Sequence, residues 1–239
     1  MSESQSGSEF VAYEVRDAVA WARIGHGKAN ALSSEVLTAL GQCLTLAEAD
    51  DAVGALCITG KPGFLTGGFD LTVMRSGDAK AMVTLVSDGG ALFTRIFASG
   101  LPVVVACPGH AVAAGALLCL AADERIGADG AFQIGLIETQ IGMVLPRWAI
   151  EFAEERLSRR YFQAAVVGAR MYGPTGARDA GYFDAVVAPE ALDDTAQAAA
   201  AAWASLPAAT YAGQVTQVRG ARIAKLEAAI VADRAAVDR

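Results

Sequence analysis

The chain has 239 residues, 54% of them hydrophobic, and sets 19 Lys and Arg against 26 Asp and Glu for a formal charge of −7. That balance argues against nucleic acid as a partner, because no basic stripe is present to displace phosphate counterions. It leaves room for an anionic small ligand, which needs only a few local cations such as Lys28, Lys61 and Arg75.

Residues 1–9 are polar, rich in Ser and Glu and without periodicity, and read as a disordered leader. They lack the basic start and apolar core of a signal peptide, so a cytoplasmic protein is expected. Phe10–Val15 and Ala18–Ile24 alternate in polarity around Arg16-Asp17, which predicts a strand hairpin. Ser33 caps a helix whose apolar positions Val36, Leu37, Leu40, Leu44 and Ala47 follow helical spacing. Val53–Thr59 reads as a buried strand leading into a first glycine-rich loop, Lys61–Leu71, after which Asp70 N-caps a short helix. Ala79–Phe97 is a longer helix, expected to weaken or bend at Gly89-Gly90. Val103–Cys107 is a second buried strand, followed by a second small-residue loop, Cys107–Leu117, and a helix from about Ala114.

Arg125–Ala128 predicts a further strand, and Pro146 suits the first turn of a helix running through Glu151 to Leu157. Thr175 caps a short helix that stops at Gly181, Phe183–Val187 is a last strand, and the chain is helical from Leu192 with a break at Pro207. Ile96–Ala122 carries no charge and is long enough to span a bilayer. Gly100, Pro102, Pro108 and Gly109 cut it into strand-sized and helix-sized pieces, so no membrane is expected as a partner. Strands and helices alternate without a repeat period. The class is α/β, with a core domain over 10–190 and a helical C-terminal region, 191–239, belonging to the same unit.

Cys43, Cys57, Cys107 and Cys119 show neither CxxC nor Cys/His spacing, and the two histidines, His26 and His110, are far apart. Buried reduced thiols and no metal are expected. The chemistry lies in the two loops. Each leaves an apolar strand and opens a helix, so each ends in unpaired backbone N–H groups at the positive end of a helix dipole. Two such ends aimed at one point would hold a developing oxyanion, worth about 3 kcal/mol per donor in a dry site. Glu138 would move a proton beside it. Each of these residues also has a plainer reading: Glu138 as a solvated helix end, Leu117 as core, the glycines as turn residues, His110 as structural.

Four segments, in order, resemble the crotonase superfamily, that is, the enoyl-CoA hydratases and isomerases. They are Gly27-Lys-Ala-Asn-Ala-Leu32, Thr59-Gly-Lys-Pro-Gly-Phe-Leu-Thr-Gly-Gly-Phe-Asp-Leu71, Gly109-His-Ala-Val-Ala-Ala-Gly115 through Asp123-Glu-Arg-Ile126, and Gly135-Leu-Ile-Glu-Thr-Gln-Ile-Gly142. The resemblance implies a spiral of ββα units and trimers, or hexamers made of paired trimers, built through C-terminal helices. It implies an acyl-CoA thioester bound in extended form, with coenzyme A as part of the substrate and no separate cofactor. By position, the oxyanion donors would be the backbone N–H groups of Phe69 and Ala114. Lys28, Ala29 and Ala31, with Thr66, Gly67, Gly68, Asp70 and Leu71, would line the path of the coenzyme and its pantetheine arm.

The resemblance also implies that a hydratase works with two glutamates. Glu138 matches one of them. The other position, three residues after Ala114, holds Leu117, and Glu124, seven residues further on that helix face, lies about 10 Å along by helix rise. One carboxylate is sufficient to shift a double bond from C3 to C2, as in the isomerase branch, which often has an apolar residue where Leu117 stands. An apolar neighbour would also raise the pKa of Glu138 toward neutrality. The expectation is therefore an isomerase. A single-glutamate hydratase and a non-catalytic acyl-CoA-binding protein are the alternatives.

Overall fold

The structure, a computed structural model, describes residues 8–236. The expected leader falls outside the described residues except for Ser8 and Glu9; the Ser8 hydroxyl accepts from the N–H groups of Phe10 and Val11 and starts the first strand. Strands β1 (Val11–Arg16) and β2 (Val19–Ile24) form the predicted antiparallel hairpin. Helix α1 (Ser34–Ala49) follows, with Ser33 accepting from the Val36 N–H as its cap. Then come β3 (Ala55–Thr59), β4 (Gly63–Thr66), α2 (Leu71–Met74), α3 (Ala79–Ala98), β5 (Val103–Cys107), β6 (Gly109–Val112), α4 (Ala114–Ala121), β7 (Glu124–Ala128) and β8 (Ile134–Gly135). After a short 3-10 turn at Glu138–Ile141 the chain continues through α5 (Arg147–Arg156), α6 (Arg159–Val166), α7 (Pro174–Ala180) and β9 (Ala185–Val187) to α8 (Leu192–Ala204) and α9 (Ala208–Ala235).

Two sheets result. The larger runs β1-β2-β3-β5-β7-β9, parallel except for the first pair, and the smaller is the parallel set β4-β6-β8. After the β1-β2-α1 unit, whose strands both lie in the large sheet, each turn from β3 to β8 places one strand in the large sheet and the next in the small one before a helical segment, giving the expected spiral of ββα units. The central strands read as unbroken apolar runs because both faces are covered. Period-two alternation sorts their side chains: Leu56, Ile58, Val103 and Val105 face the main core, while Ala55, Cys57, Val104 and Ala106 pack with Leu192, Ala196 and Ala200 of α8. Crossing between sheets demands close backbone approach, and a Cβ on Gly109 would lie 2.1 Å from the Gly63 carbonyl. All four cysteines are free and buried.

Several expectations are corrected. Helix α3 runs unbroken through Gly89-Gly90; these glycines make room, since a Cβ would come within 2.4 Å of the Phe69 ring at one and 2.7 Å of the Trp148 indole at the other. Gly173, not Thr175, caps α7, with Pro174 at its first position, although Gly181 does end it in the left-handed conformation. Glu124 is not on α4, which stops at Ala121; it opens β7 and accepts from the Trp203 indole N–H at 2.7 Å. The uncharged stretch from Ile96 to Ala122 is divided among the end of α3, β5, β6 and α4. Helix α3 is itself long and apolar enough to cross a membrane, but half of that length is buried inside the protein.

Candidate active site

The two glycine-rich loops meet. Gly68 has φ +106°, and a Cβ there would stand 3.2 Å from the Ala113 Cβ and from the Val112 carbonyl oxygen. A Cβ on Gly115 would lie 2.6 Å from the Thr66 carbonyl oxygen. Side chains would hold these turns apart, which is why small residues occupy them.

The first loop is braced on one side by residues 27–32. The Gly67 N–H donates to Ala29 O at 2.8 Å, Leu32 N–H to Gly68 O at 2.9 Å, and Asp70 N–H to Leu32 O at 3.1 Å. Asn30, buried with φ +50°, fastens that brace: its Nδ2 donates to the carbonyls of Ile24 and Leu65, and its Oδ1 accepts from the His26 N–H. Thr66 Oγ1 accepts from the Gly68 N–H at 3.0 Å. These bonds use the neighbouring amides and leave the Phe69 N–H with no acceptor among the described residues.

The second loop ends in a backbone outlier. Ala113 adopts φ +53° and ψ −117°, a conformation that side-chain-bearing residues hold only when their surroundings impose it. Its N–H donates to Gly135 O at 2.9 Å, which ties the turn to β8. The bend directs the chain into α4, whose first residue, Ala114, also leaves its N–H without an acceptor among the described residues. A free amide at the start of a helix carries the dipole's positive end.

A cavity of about 390 Å³ opens beside this junction. Gly67, Gly68, Phe69, Leu71, Leu117 and Glu138 all line it, as does Ala113, the neighbour of Ala114. Glu138 opens the 3-10 turn, which Gly142 closes in the left-handed conformation. Its Oε2 is shielded from solvent and has no hydrogen-bond partner among the described residues. Burial pushes its carboxyl up to about 7, against a smaller opposing pull from the backbone N–H groups of Glu138 and Ile137. The expected upward shift is therefore present, and a carboxyl near neutrality can both take and return a proton. Leu117 sits 2% exposed where the second acid would stand, so Glu138 has no acidic neighbour on α4.

Other expected residues stand aside from the cavity walls. Asp70 caps α2, accepting from the Thr72 N–H at 2.8 Å. Thr66 is buried, Ala29 packs against Gly67 with Lys28 and Ala31 in the same bracing segment, and Lys61 Nζ donates to the Gly27 carbonyl. His110 is structural: its Nδ1 accepts from the Gln133 N–H, and its ring packs between Phe64 and Phe132. Sequence reasoning missed Asp233 of α9, Ala236 at its C-cap and the α3 residue Ser87, all of which line the cavity. No spacing signal links positions so far apart in the chain. Among the described residues no group of three or more His, Cys, Asp or Glu is placed to hold a metal.

Comparison with known proteins identifies the fold's family. The profile of the family described as Enoyl-CoA hydratase/isomerase matches residues 14–237. Over 190 residues the chain is 33% identical to human mitochondrial enoyl-CoA delta isomerase 1, covering 79% of this chain and 62% of that one. It therefore spans about three fifths of that relative's length. A solved enoyl-CoA hydratase/isomerase family protein from Pseudomonas syringae is 42% identical, with a TM-score of 0.92 and coverage of 96% and 98% of the two chains. A probable enoyl-CoA hydratase from Mycobacterium tuberculosis is 33% identical, with a TM-score of 0.91 and coverage of 96% and 97%. With a profile match along most of its length and a ββα spiral that superposes on solved members, the chain belongs to the enoyl-CoA hydratase/isomerase family.

Proposed function

We propose that this protein isomerises 3-enoyl-CoA to 2-enoyl-CoA, with Glu138 as the single proton carrier. The observation that carries this reading is the unpartnered, shielded Glu138 carboxyl beside the two free amides, with Leu117 rather than an acid at the facing position of α4; the cavity's other carboxyl, Asp233, belongs to the α9 wall. Ionised Glu138 removes a proton from C2, and the electron pair moves through the carbon chain into the thioester carbonyl. The resulting dienolate oxygen accepts from the N–H groups of Phe69 and Ala114, which have no protein acceptor to give up. Glu138 then returns the proton to C4, the carbonyl re-forms, and the double bond lies between C2 and C3. Proton and electron pair balance without an added cofactor, coenzyme A entering only as part of the substrate. Its arm runs along the first loop past Lys28, Ala29 and Ala31, the segment whose Ala29 carbonyl accepts from the Gly67 N–H. The copies associate as trimers, or trimers in pairs, through the C-terminal helices, a reading supported by exposed Leu206 and Val218.

Side-by-side product assays test the reaction. The expected result is turnover of 3-enoyl-CoA with no net hydration of 2-trans-enoyl-CoA. Glu138→Gln should lower that turnover by about a hundredfold or more, as for loss of a general base, while thioester affinity stays within a few-fold. Hydration as the main activity would replace the isomerase reading. Tight binding without turnover of either substrate would make the protein a binder.

A further inference from the structure

One wall of the cavity, built by α3, α5 and α9, carries polar atoms that the protein itself does not satisfy. Ser87 Oγ and Trp148 Nε1 belong to residues 1% and 0% exposed, and neither has a hydrogen-bond partner among the described residues. Asp233 Oδ2 is likewise shielded and unpartnered. All three residues line the cavity that holds Glu138. The helices that carry them are packed together. Arg234 bonds Asp88 at 2.7 Å, joining the residues that follow Asp233 and Ser87 on their helices. A Cβ on Gly90, one turn beyond Ser87, would stand 3.0 Å from Trp148 Nε1.

Native proteins leave few buried polar groups unpaired, and such groups call for an explanation, of which a ligand that completes them is one. An indole N–H only donates, a hydroxyl donates and accepts, and a carboxylate accepts. The complement is a group that accepts from one side and donates to the other. A second carboxylate would be repelled by Asp233, a carbonyl has nothing to donate to it, and an ammonium cannot accept from the indole; an amide does both only through two separate atoms, whereas a hydroxyl does both at one. Met82, Val83 and Val86, on the same stretch of α3, offer the apolar surface that a hydrocarbon chain would follow.

We infer that this cavity selects acyl-CoA thioesters whose acyl chain bears a hydroxyl group, held by Ser87, Trp148 and Asp233. The inference rests on the acyl-CoA reading above and narrows its substrate class. A plain hydrocarbon chain in the same place would strip water from these three groups and return nothing.

The test is calorimetric titration of the full chain with saturated acyl-CoA thioesters of one length, either unsubstituted or hydroxylated at successive carbons. Turnover of the unsubstituted 3-enoyl-CoA is measured alongside. One hydroxylated isomer should bind about tenfold or more tightly than the plain chain, the penalty for leaving a buried polar group unpaired. In Ser87→Ala and in Asp233→Leu that ratio should fall toward one. Each variant is its own control, because both ligands are measured on the same protein. Equal binding of every isomer and the plain thioester, or a preference that survives both substitutions, overturns the hydroxyl site and leaves the isomerase reading standing. If no thioester binds and none is turned over, the acyl-CoA reading falls and this one falls with it.

Discussion

Glu138 is subject to opposing demands, because the burial that suits it to proton transfer also makes its charge costly. With the carboxyl pushed up to about 7, it is protonated in slightly acidic solution. As a base it must be ionised, so kcat/KM should rise with pH and level off above about 7, which a pH-rate profile will show. Stability responds in the opposite direction. An unfolded glutamate titrates near 4.5, so below that pH the group is neutral in both states and costs nothing. As pH rises from 4.5 through about 7 the folded state comes to hold a buried anion, and up to about 3 kcal/mol of stability is lost at about 1.4 kcal/mol per unit. Glu138→Gln abolishes that slope. Urea denaturation should find the variant more stable than the parent at pH 8, with most of that advantage gone at pH 4.5. An equal difference at both pH values would refute the shift. At this scale the sequence was informative about Glu138 and Leu117, whose meaning comes from their place in local motifs. It was silent about Ser87, Trp148 and Asp233, since a serine on an apolar helix and an aspartate near a helix end each have an ordinary surface reading.

Among the elements, those with a long apolar period were legible and those made by close approach were not. The central strands and α1 announce themselves by runs and caps, and Asp70 caps α2 as its position suggested. Strands β4, β6 and β8 have two to four residues and lie within segments that read as loops, because their partners are one another. The pair Gly89-Gly90 looked like a weak point in α3 and is instead a recess for Phe69 and Trp148, a difference visible only once the neighbours are in place. Ala113 is the sharpest case, an alanine in a conformation that glycine adopts freely. Holding it there costs on the order of 1–3 kcal/mol, only partly offset by the lower chain entropy of alanine when unfolded. Ala113→Gly should therefore stabilise the fold by about 1 kcal/mol, read as a higher urea midpoint at unchanged slope. A lower midpoint would mean that packing of the Ala113 methyl, not backbone strain, governs the turn.

For the molecule as a whole, the spiral was implied by the order of four motifs, but the groove proposed to join one copy to another had no motif of its own. Helices α8 and α9 meet at Pro207, and a groove of about 320 Å³ runs along that corner past Trp203, Leu206, Tyr211, Val215 and Val218. Leu206 is 45% exposed and Val218 is 73% exposed, and they share the groove with the buried aromatic ring of Tyr211. Apolar side chains scattered singly over a surface need no explanation, but a contiguous groove of them favours burial against another surface. Since the end of α9 also carries Asp233 and its C-cap Ala236 into the cavity, association through its other stretch would steady one wall of the site. Placing a charge in that groove should separate the two roles. Val218→Asp should sediment as a single chain where the proposed assembly requires the parent to sediment as a trimer or hexamer, because an unpaired carboxylate in a closed apolar interface loses several kcal/mol of hydration. Its thermal midpoint should then depend less on protein concentration than the parent's. A parent that sediments as one chain at every concentration would dismiss the assembly, and a variant that assembles like the parent would move the contact away from this groove.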